Sequence, residues 1–178
     1  MAVLDIALMG HPVLARPAAP VEDPTDPRLA ELVANMLETM AVANGIGLAA
    51  PQVRQGLQLV IFQVPAERLA EGADLPLTVL INPEITPLDA AVDQAYEACL
   101  SVPGLTGLVP RWRHIGYRGF GLDGKLVERE ASGFHARVVQ HECDHLQGRL
   151  YLARMPDLSS LAYGQELRRL MQSEGEQG

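Results

Sequence analysis

The sequence predicts an α+β protein in which antiparallel or mixed β-sheets surround a central helix, with a further helix toward each end of the chain. Two observations lead to this fold class. Short runs rich in β-branched residues, separated by tight turns, fill the middle of the chain and are typical of strands. Apolar residues repeat at helical spacing near both ends. We expect one domain over residues 1–178, with a proline-rich arm (1–27) and a C-terminal helix and flexible tail (156–178).

Composition limits the classes of partner. A chain of 178 residues with 48% hydrophobic and 20% charged residues is long enough to build a globular core. The net charge of −8 and the lack of a dense Lys/Arg run argue against direct nucleic-acid binding. The N-terminus lacks a targeting pattern and no apolar run is long enough to span a bilayer, so we expect a cytoplasmic protein that does not bind membranes. Two cysteines are too few for a disulfide framework.

The first helix follows the arm, whose repeated prolines favour an extended chain wrapped over the surface. Asp26 is a suitable N-cap and Pro27 suits the first helical position. Apolar residues at i, i+3 and i+4 spacing predict a buried face, and Asn44 and Gly45 mark the end.

Residues 45–52, Gly-Ile-Gly-Leu-Ala-Ala-Pro-Gln, match the dinucleotide-binding pattern G-x-G-x-x-A. That pattern must follow a strand and open a helix, whereas here a helix precedes it and Pro51 follows, so we reject nucleotide binding. What remains is a loop of small residues that a ligand can approach closely. Its last residue, Gln52, either caps the next strand or serves a site.

Strands are predicted at residues 57–64, 77–82, 115–120 and 126–130, the last two joined by a turn at Asp123 and Gly124. A polar surface loop is expected over 65–76. Residues 96–104 lie between these strands and contain Cys99.

The central helix, predicted from about Ser132 to Leu146, carries a His-Glu-x-x-His motif. His141 and His145 are four residues apart and so present their imidazoles from one face, as two arms of a chelate. Two buried core histidines are the alternative, but carboxylates beside them without a cation would be costly. We therefore expect a metal site, with Glu142 next to the metal as a general base.

The third ligand must come from elsewhere in the chain. Tyr151 stands where extended zinc proteases have a histidine, and Glu166 is better read as a solvated helix residue. Cys143 is about 200° around the helix from His141, so its thiol should point away. Cys99 is the favoured ligand, and a cysteine with two histidines leaves an open position, as in catalytic sites. Asp144 and Gln140 are expected to support the ligands rather than react.

Three separated motifs together resemble the peptide deformylases: residues 45–52, residues 97–101 (Glu-Ala-Cys-Leu-Ser) and residues 140–146. The resemblance extends from about His11 to Met155. It departs at Ala98, where glycine is commonest in the family, and at Thr106, where many members carry an arginine thought to engage the substrate backbone.

The resemblance implies metal-dependent removal of the formyl group from N-formylmethionyl nascent peptides. Iron(II) is the implied native metal, with zinc, nickel or cobalt also able to bind. The family assigns oxyanion stabilisation to the Gln52 amide and the Leu100 N–H. The implied residues of the substrate site are Ile46, Phe134 and Val138 for the methionine pocket, with Gly47 and Gly104 on peptide-pairing backbone edges.

Two other functions remain open at this stage. A small metallopeptidase would use the same helix with a protein ligand other than Cys99. A catalytically weak formyl-peptide-binding homologue would be compatible with Ala98 and Thr106. The C-terminal segment containing Arg168 and Arg169 is a candidate for transient ribosome contact.

Overall fold

The computed structural model describes residues 2–68 and 75–175. Within these residues, eight strands and three α-helices follow one another, with short 3-10 turns between some of them: α1 (Pro27–Val42), β1 (Gly47–Ala49), β2 (Leu59–Val64), β3 (Leu75–Pro87), β4 (Val92–Cys99), β5 (Val102–Trp112), β6 (His114–Phe120), β7 (Leu126–Ser132), α2 (Gly133–Leu146), β8 (Ala162–Tyr163) and α3 (Gly164–Gly175). The strands form a five-stranded sheet, in the order β1-β2-β3-β6-β7, and a three-stranded sheet, in the order β4-β5-β8. All strand pairs within these sheets are antiparallel. The predicted α+β class is thus confirmed.

Helix α1 begins and ends where its sequence signals lie. The Asp26 side chain accepts a hydrogen bond from the Arg28 N–H, and Pro27 occupies the first turn. Its apolar stripe packs on the five-stranded sheet in a core that contains Leu29, Val33, Met36, Met40, Leu48, Leu59, Ile61 and Ile81. Burial of this stripe is what stabilises the helix, since helices of this length are marginal in isolation.

Helix α2 lies between the two sheets and contacts β1, β2, β6 and β7 on one side and β5 on the other. Its apolar face packs against the five-stranded sheet through Val138, Val139, Cys143 and Leu146. Its other face is turned toward β4 and β5. The central helix expected from the sequence is therefore the layer on which both sheets rest.

No strand was predicted from the sequence between residues 82 and 115, so the β4–β5 hairpin was not expected. Pairing extends from Val92 with Trp112 to Cys99 with Val102. Prolines, glycines and charged residues give this segment the composition of a loop. Residues 47–49 likewise form an edge strand rather than loop, and a 3-10 turn, Ala50–Val53, follows it.

Backbone hydrogen bonds join the N-terminal arm to distant parts of the chain. The Ala18 N–H donates to the Leu146 carbonyl, at the end of α2, and the Ala19 N–H donates to the Gly56 carbonyl. In the predicted 65–76 loop, Ala66–Arg68 form a 3-10 turn and Leu75 already belongs to β3. Residues 69–74 of this loop and residues 176–178 of the predicted tail lie outside the described residues. No helix in the described part of the chain is long and apolar enough to cross a membrane.

Candidate metal centre and active site

Three potential ligands converge where the tip of the β4–β5 hairpin meets α2. Ligand atoms of Cys99, His141 and His145 all lie within 4.8 Å of one another. The Cys99 Sγ and the His145 Nε2 are 3.5 Å apart. The helix supplies both histidines from one face, and the end of β4 supplies the thiol. A ligand set of one sulfur and two imidazole nitrogens suits a first-row divalent ion.

The surroundings leave the two histidines in different states. The His141 Nδ1 is 2.8 Å from the Glu97 carboxylate, which orients the ring and turns its other nitrogen toward the cluster. Burial opposes protonation, but bonds with Cys99 and Glu97 raise the pKa of His141 well above its usual range. His145 is only 1% exposed and its Nδ1 has no partner among the described residues. Burial and the charge of His141 lower the pKa of His145 well below the usual value, so its ring stays neutral.

The Glu97 carboxylate accepts hydrogen bonds from two buried arginines. The Arg111 guanidinium donates to both of its oxygens, at 2.8 and 2.9 Å, and the Arg137 Nη1 donates at 2.8 Å. Burial alone would raise the pKa of Glu97, but the bonds from Arg111 and His141 prevail and lower it to about 2. Glu97 is thus a permanent anion that orients His141.

Asp144 extends this hydrogen-bond network to Arg154, after the end of α2. It accepts a hydrogen bond from the Arg111 Nη1 at 2.5 Å and one from the Arg154 Nη2 at 2.6 Å. Gln140 binds both the N–H and the carbonyl of Trp112. The two residues therefore tie the metal helix to β5 and to the Tyr151–Arg154 turn, in agreement with a supporting role.

Glu142 is buried beside the cluster without a cation to pair with. Its Oε2 has no hydrogen-bond partner in the described structure, and the residue is 5% exposed. Burial raises its pKa to about 7, and the His141 charge only partly opposes this. The carboxylate lies against the backbone of Gly47, where an added Cβ would meet the Oε1 at 2.2 Å. Gly47 is thus the residue that leaves room for the carboxylate.

Gln52 and the hairpin tip enclose another side of the cluster. The Gln52 Oε1 accepts a hydrogen bond from the Ala49 N–H at 2.9 Å, so its amide nitrogen faces inward. This nitrogen is 3.5 Å from the Cys99 Sγ and 3.2 Å from the Ser101 Oγ. None of the described backbone hydrogen bonds in turns and loops has the Leu100 N–H as its donor. Gly45 lies against the Leu100 side chain, so the first two sequence motifs are in contact.

The predicted pocket residues Ile46, Phe134 and Val138 belong to one apolar cluster. The Arg68 guanidinium lies over the Phe134 ring, 5.1 Å from its centroid. Gly47 is on β1, an edge strand of the five-stranded sheet. Gly104 lies at φ +81° beside Tyr163, where β5 begins its pairing with β8.

Comparison with known proteins decides the family. The polypeptide deformylase family model matches residues 3–160. Peptide deformylase 2 of Bordetella bronchiseptica is 54% identical over 91% of this chain and 93% of its own length. A peptide deformylase of Acinetobacter baumannii bound to Met-Ala-Ser has a TM-score of 0.80 and 36% identity over 86% of this chain and 99% of that chain. The Thermotoga maritima peptide deformylase has a TM-score of 0.78 and 34% identity, over 88% of this chain and 100% of that chain.

The chain belongs to the polypeptide deformylase family. It is a metal-dependent amide hydrolase that removes the N-formyl group from nascent polypeptides. The Cys99, His141 and His145 cluster fits the metal that this family requires, because the potential ligand atoms are close together, two of the residues are buried and one is partly buried, and the donor types suit such an ion.

The two departures from the common deformylase pattern are neighbours in the structure. Ala98 pairs with Thr106 across the hairpin. The Thr106 hydroxyl donates to the Glu97 carbonyl at 2.8 Å, and the residue is buried. The side chain at position 106 of this deformylase therefore stabilises the hairpin backbone next to Glu97.

Glu97, Arg111 and Arg137 were not assigned a role from the sequence. A signal was nevertheless available for two of them. Glu97 and Cys99 are two residues apart in a strand, and Arg137 and His141 are four apart in a helix, so each pair is expected to share a face. Arg111 lies 12 residues beyond Cys99, and only the hairpin pairing of Asp93 with Arg111 places it near this site.

Proposed function

We propose that this deformylase holds one divalent ion with Cys99, His141 and His145 and uses Glu142 as its general base. The observation that carries the proposal is the buried, unpartnered Oε2 of Glu142 beside the ligand cluster. A carboxylate paired with an arginine would be a weak base, whereas burial raises the pKa of this one to about 7. The same residue is then able to accept a proton and to return it.

A divalent ion, when bound, supplies Lewis acidity that makes a water molecule easier to deprotonate. Glu142 accepts the proton of the attacking water as the formyl carbonyl is attacked, and then donates it to the departing amine. Formate and a free N-terminus are the products. Glu97 holds the His141 ring in place during the reaction. The charge of the Glu97 carboxylate is balanced by Arg111 and Arg137, so Glu97 itself takes up no proton.

We assign oxyanion stabilisation to the Gln52 side-chain amide and the Leu100 N–H. The Gln52 amide is fixed by its bond from Ala49, so its donor is aimed before substrate arrives. Preorganised donors of this kind typically contribute about 10²- to 10³-fold in rate.

The substrate side chain that we place in the Ile46, Phe134 and Val138 pocket is the N-terminal methionine. The apolar character of this cluster and the Met-Ala-Ser bound to the Acinetobacter baumannii peptide deformylase support this. The free edge of β1 at Gly47 suits pairing with an extended peptide. A similar role for Gly104 stays a prediction, because the adjoining residues of β5 already pair with β8.

Iron(II) is our proposal for the native metal, with zinc, nickel or cobalt as alternatives that the ligand types also accept. A transient ribosome contact through α3, with Arg168 and Arg169, also stays a prediction, as do the cytoplasmic location and the single catalytic domain over 1–178. Family membership decides against both the small metallopeptidase and the weak formyl-peptide binder, and an activity measurement tests the proposed residue roles directly.

That measurement is formate release from formyl-Met-Ala-Ser by the anaerobic, iron-loaded protein, compared with its Glu142→Gln variant. We expect activity in the wild type and a loss of about 10²- to 10⁴-fold in the variant. The variant should keep its metal and its stability, because glutamine has the same shape and removes a buried carboxylate. A metal-loaded wild type that binds the peptide without releasing formate would contradict the proposed roles.

A further inference from the structure

The proposed oxyanion donors come from two different sheets. Gln52 follows β1 of the five-stranded sheet, whereas Leu100 is at the tip of the β4–β5 hairpin in the three-stranded sheet. The distance between the two donors therefore depends on how the sheets are held together at this point. Misplacing a catalytic group by about 1 Å costs on the order of 10²-fold in rate.

A short segment of the N-terminal arm, residues 7–9, is hydrogen-bonded to Gln52 and to Ser101, the residue after Leu100, and we call it the strap. The Ala7 N–H donates to the Gln52 carbonyl at 2.7 Å, and the Met9 N–H donates to the Ser101 carbonyl at 2.8 Å. Ser101 is next to Leu100 and is fully buried. The Gln52 side chain also reaches the Ser101 hydroxyl, which closes a ring of hydrogen bonds through the strap, Gln52 and Ser101.

The strap is fixed on both sides. Before it, the Leu4 N–H donates to the Thr39 Oγ1 on α1, and the Ala7 side chain is buried. After it, the His11 N–H donates to the Leu8 carbonyl at 3.0 Å, with Gly10 at φ +103°, as in a type II turn. The strap is thus a short bridge with anchored ends that holds the two loops.

We propose that the strap is a positioning element for catalysis, whose two N–H groups set the separation of the Gln52 amide from the Leu100 N–H. The proposal rests on the oxyanion roles assigned above. The strap shares no described hydrogen bond with the side chains of Cys99, His141 or His145. Its loss should therefore lower kcat and leave KM and metal binding nearly unchanged.

Met9→Pro breaks one of the two bonds of the bridge. Met9 is the second residue of the turn, where proline is favoured, and its side chain is 54% exposed. The substitution removes the N–H donor and puts a ring methylene against the Ser101 carbonyl, so the strap has to separate from Ser101. We expect kcat to fall about tenfold or more, yet by less than the 10²- to 10³-fold loss from deleting an oxyanion donor. Met9→Ala, which keeps the N–H, should restore wild-type kcat.

A double-mutant cycle with Gln52→Ala separates positioning from general destabilisation. If the strap acts through the donors, the effect of Met9→Pro should shrink in the Gln52→Ala background. Rates are expressed per metal-loaded chain below the thermal midpoint of each variant. Should Met9→Pro fold poorly, the α-hydroxy analogue of methionine at position 9 removes the same N–H as an ester, and the same loss is expected.

Two results would overturn the proposed role of the strap. One is a wild-type kcat in Met9→Pro together with a lowered kcat in Gln52→Ala. The other is that the effects of Met9→Pro and Gln52→Ala on kcat are fully additive. A wild-type kcat in Gln52→Ala would instead overturn the oxyanion assignment, and with it the basis of the strap. Loss of metal in Met9→Pro in proportion to lost activity would also count against positioning.

Discussion

Two buried glutamates lie beside the ligand cluster, one in the β4–β5 hairpin and one in α2, and their surroundings treat them in opposite ways. Glu97 accepts hydrogen bonds from two arginines and a histidine, and its pKa falls to about 2. Glu142 has no cation bonded to it, and burial raises its pKa to about 7. The same side chain is thus a fixed anion in one place and a proton acceptor in the other. The positions of the arginines make the difference.

Breaking the paired carboxylate should have the largest effect on stability. Glu97→Gln leaves Arg111 and Arg137 without a full counter-charge, and breaking a buried ion pair typically costs about 3–5 kcal/mol. Metal affinity should fall about 10- to 100-fold, because His141 loses its orienting anion. Denaturant unfolding and metal titration measure the two effects.

The matched control is Glu84→Gln, since Glu84 pairs with Arg118 in an exposed salt bridge. Its loss should cost no more than about 1 kcal/mol and leave the metal site unchanged. Equal costs in Glu84→Gln and Glu97→Gln would contradict our interpretation of the buried network.

Crowding the unpaired carboxylate should act on activity instead. In Gly47→Ala the new methyl group would overlap the Glu142 Oε1, which has to move. A displaced base should lower kcat by about 10²-fold with the metal retained. Gly56→Ala is the control, because an added Cβ there meets nothing within 4 Å. An active Gly47→Ala enzyme would show that the carboxylate is not confined by this glycine.

As pH falls, His135 should begin to destabilise the protein at a higher pH than Glu97 does. Burial lowers the pKa of His135 to about 4, with the Arg129 charge adding to it, so the unfolded chain binds a proton first as pH falls. The effect of His135 is therefore to lower stability between about pH 6.5 and 4, by about 1–2 kcal/mol after allowing for solvent screening, whereas the raised pKa of Glu142 acts in the opposite direction. The low pKa of Glu97 contributes a loss only below about pH 4.5.

The variant that isolates this effect is His135→Phe, which keeps an aromatic ring beside Phe62 and Tyr117. The difference in unfolding free energy between wild type and variant should change in favour of the variant as pH falls from 7 to 4.5. A pH-independent difference would mean that His135 titrates normally in the folded protein.

The smallest effect is expected at the second cysteine. Cys143 lies in the apolar core on the other face of α2, and burial raises the pKa of its thiol far above the usual value. Cys143→Ala should bind metal and release formate as the wild type does, with stability lower by about 1 kcal/mol. Cys99→Ala should lose the metal. Metal analysis of the two variants side by side tests this, and a metal-free Cys143→Ala would contradict it.

Local patterns predicted the parts of the fold and site that depend on neighbours in the chain. The caps of α1 at Asp26 and Pro27 and the two-histidine face of α2 follow from helical geometry alone. The convergence of Cys99 with His141 and His145 was expected and is observed, although the roles of these residues stay proposals. Here three spaced motifs carried more information than any strand pattern.

What the sequence by itself determined is the chemistry present: a helical His-Glu-x-x-His chelate, one cysteine available to complete it, and too little positive charge for nucleic acid. The tertiary structure decided the surroundings of the two carboxylates: Glu97 is bonded to arginines, whereas the Glu142 Oε2 has no partner among the described residues. Arg111 bonds Glu97 only because β4 and β5 pair. Gln52 bonds Ser101 at the place where the N-terminal arm is hydrogen-bonded to both residues. Electrostatic environment depends on groups that are distant in the chain, and no local periodicity encodes it.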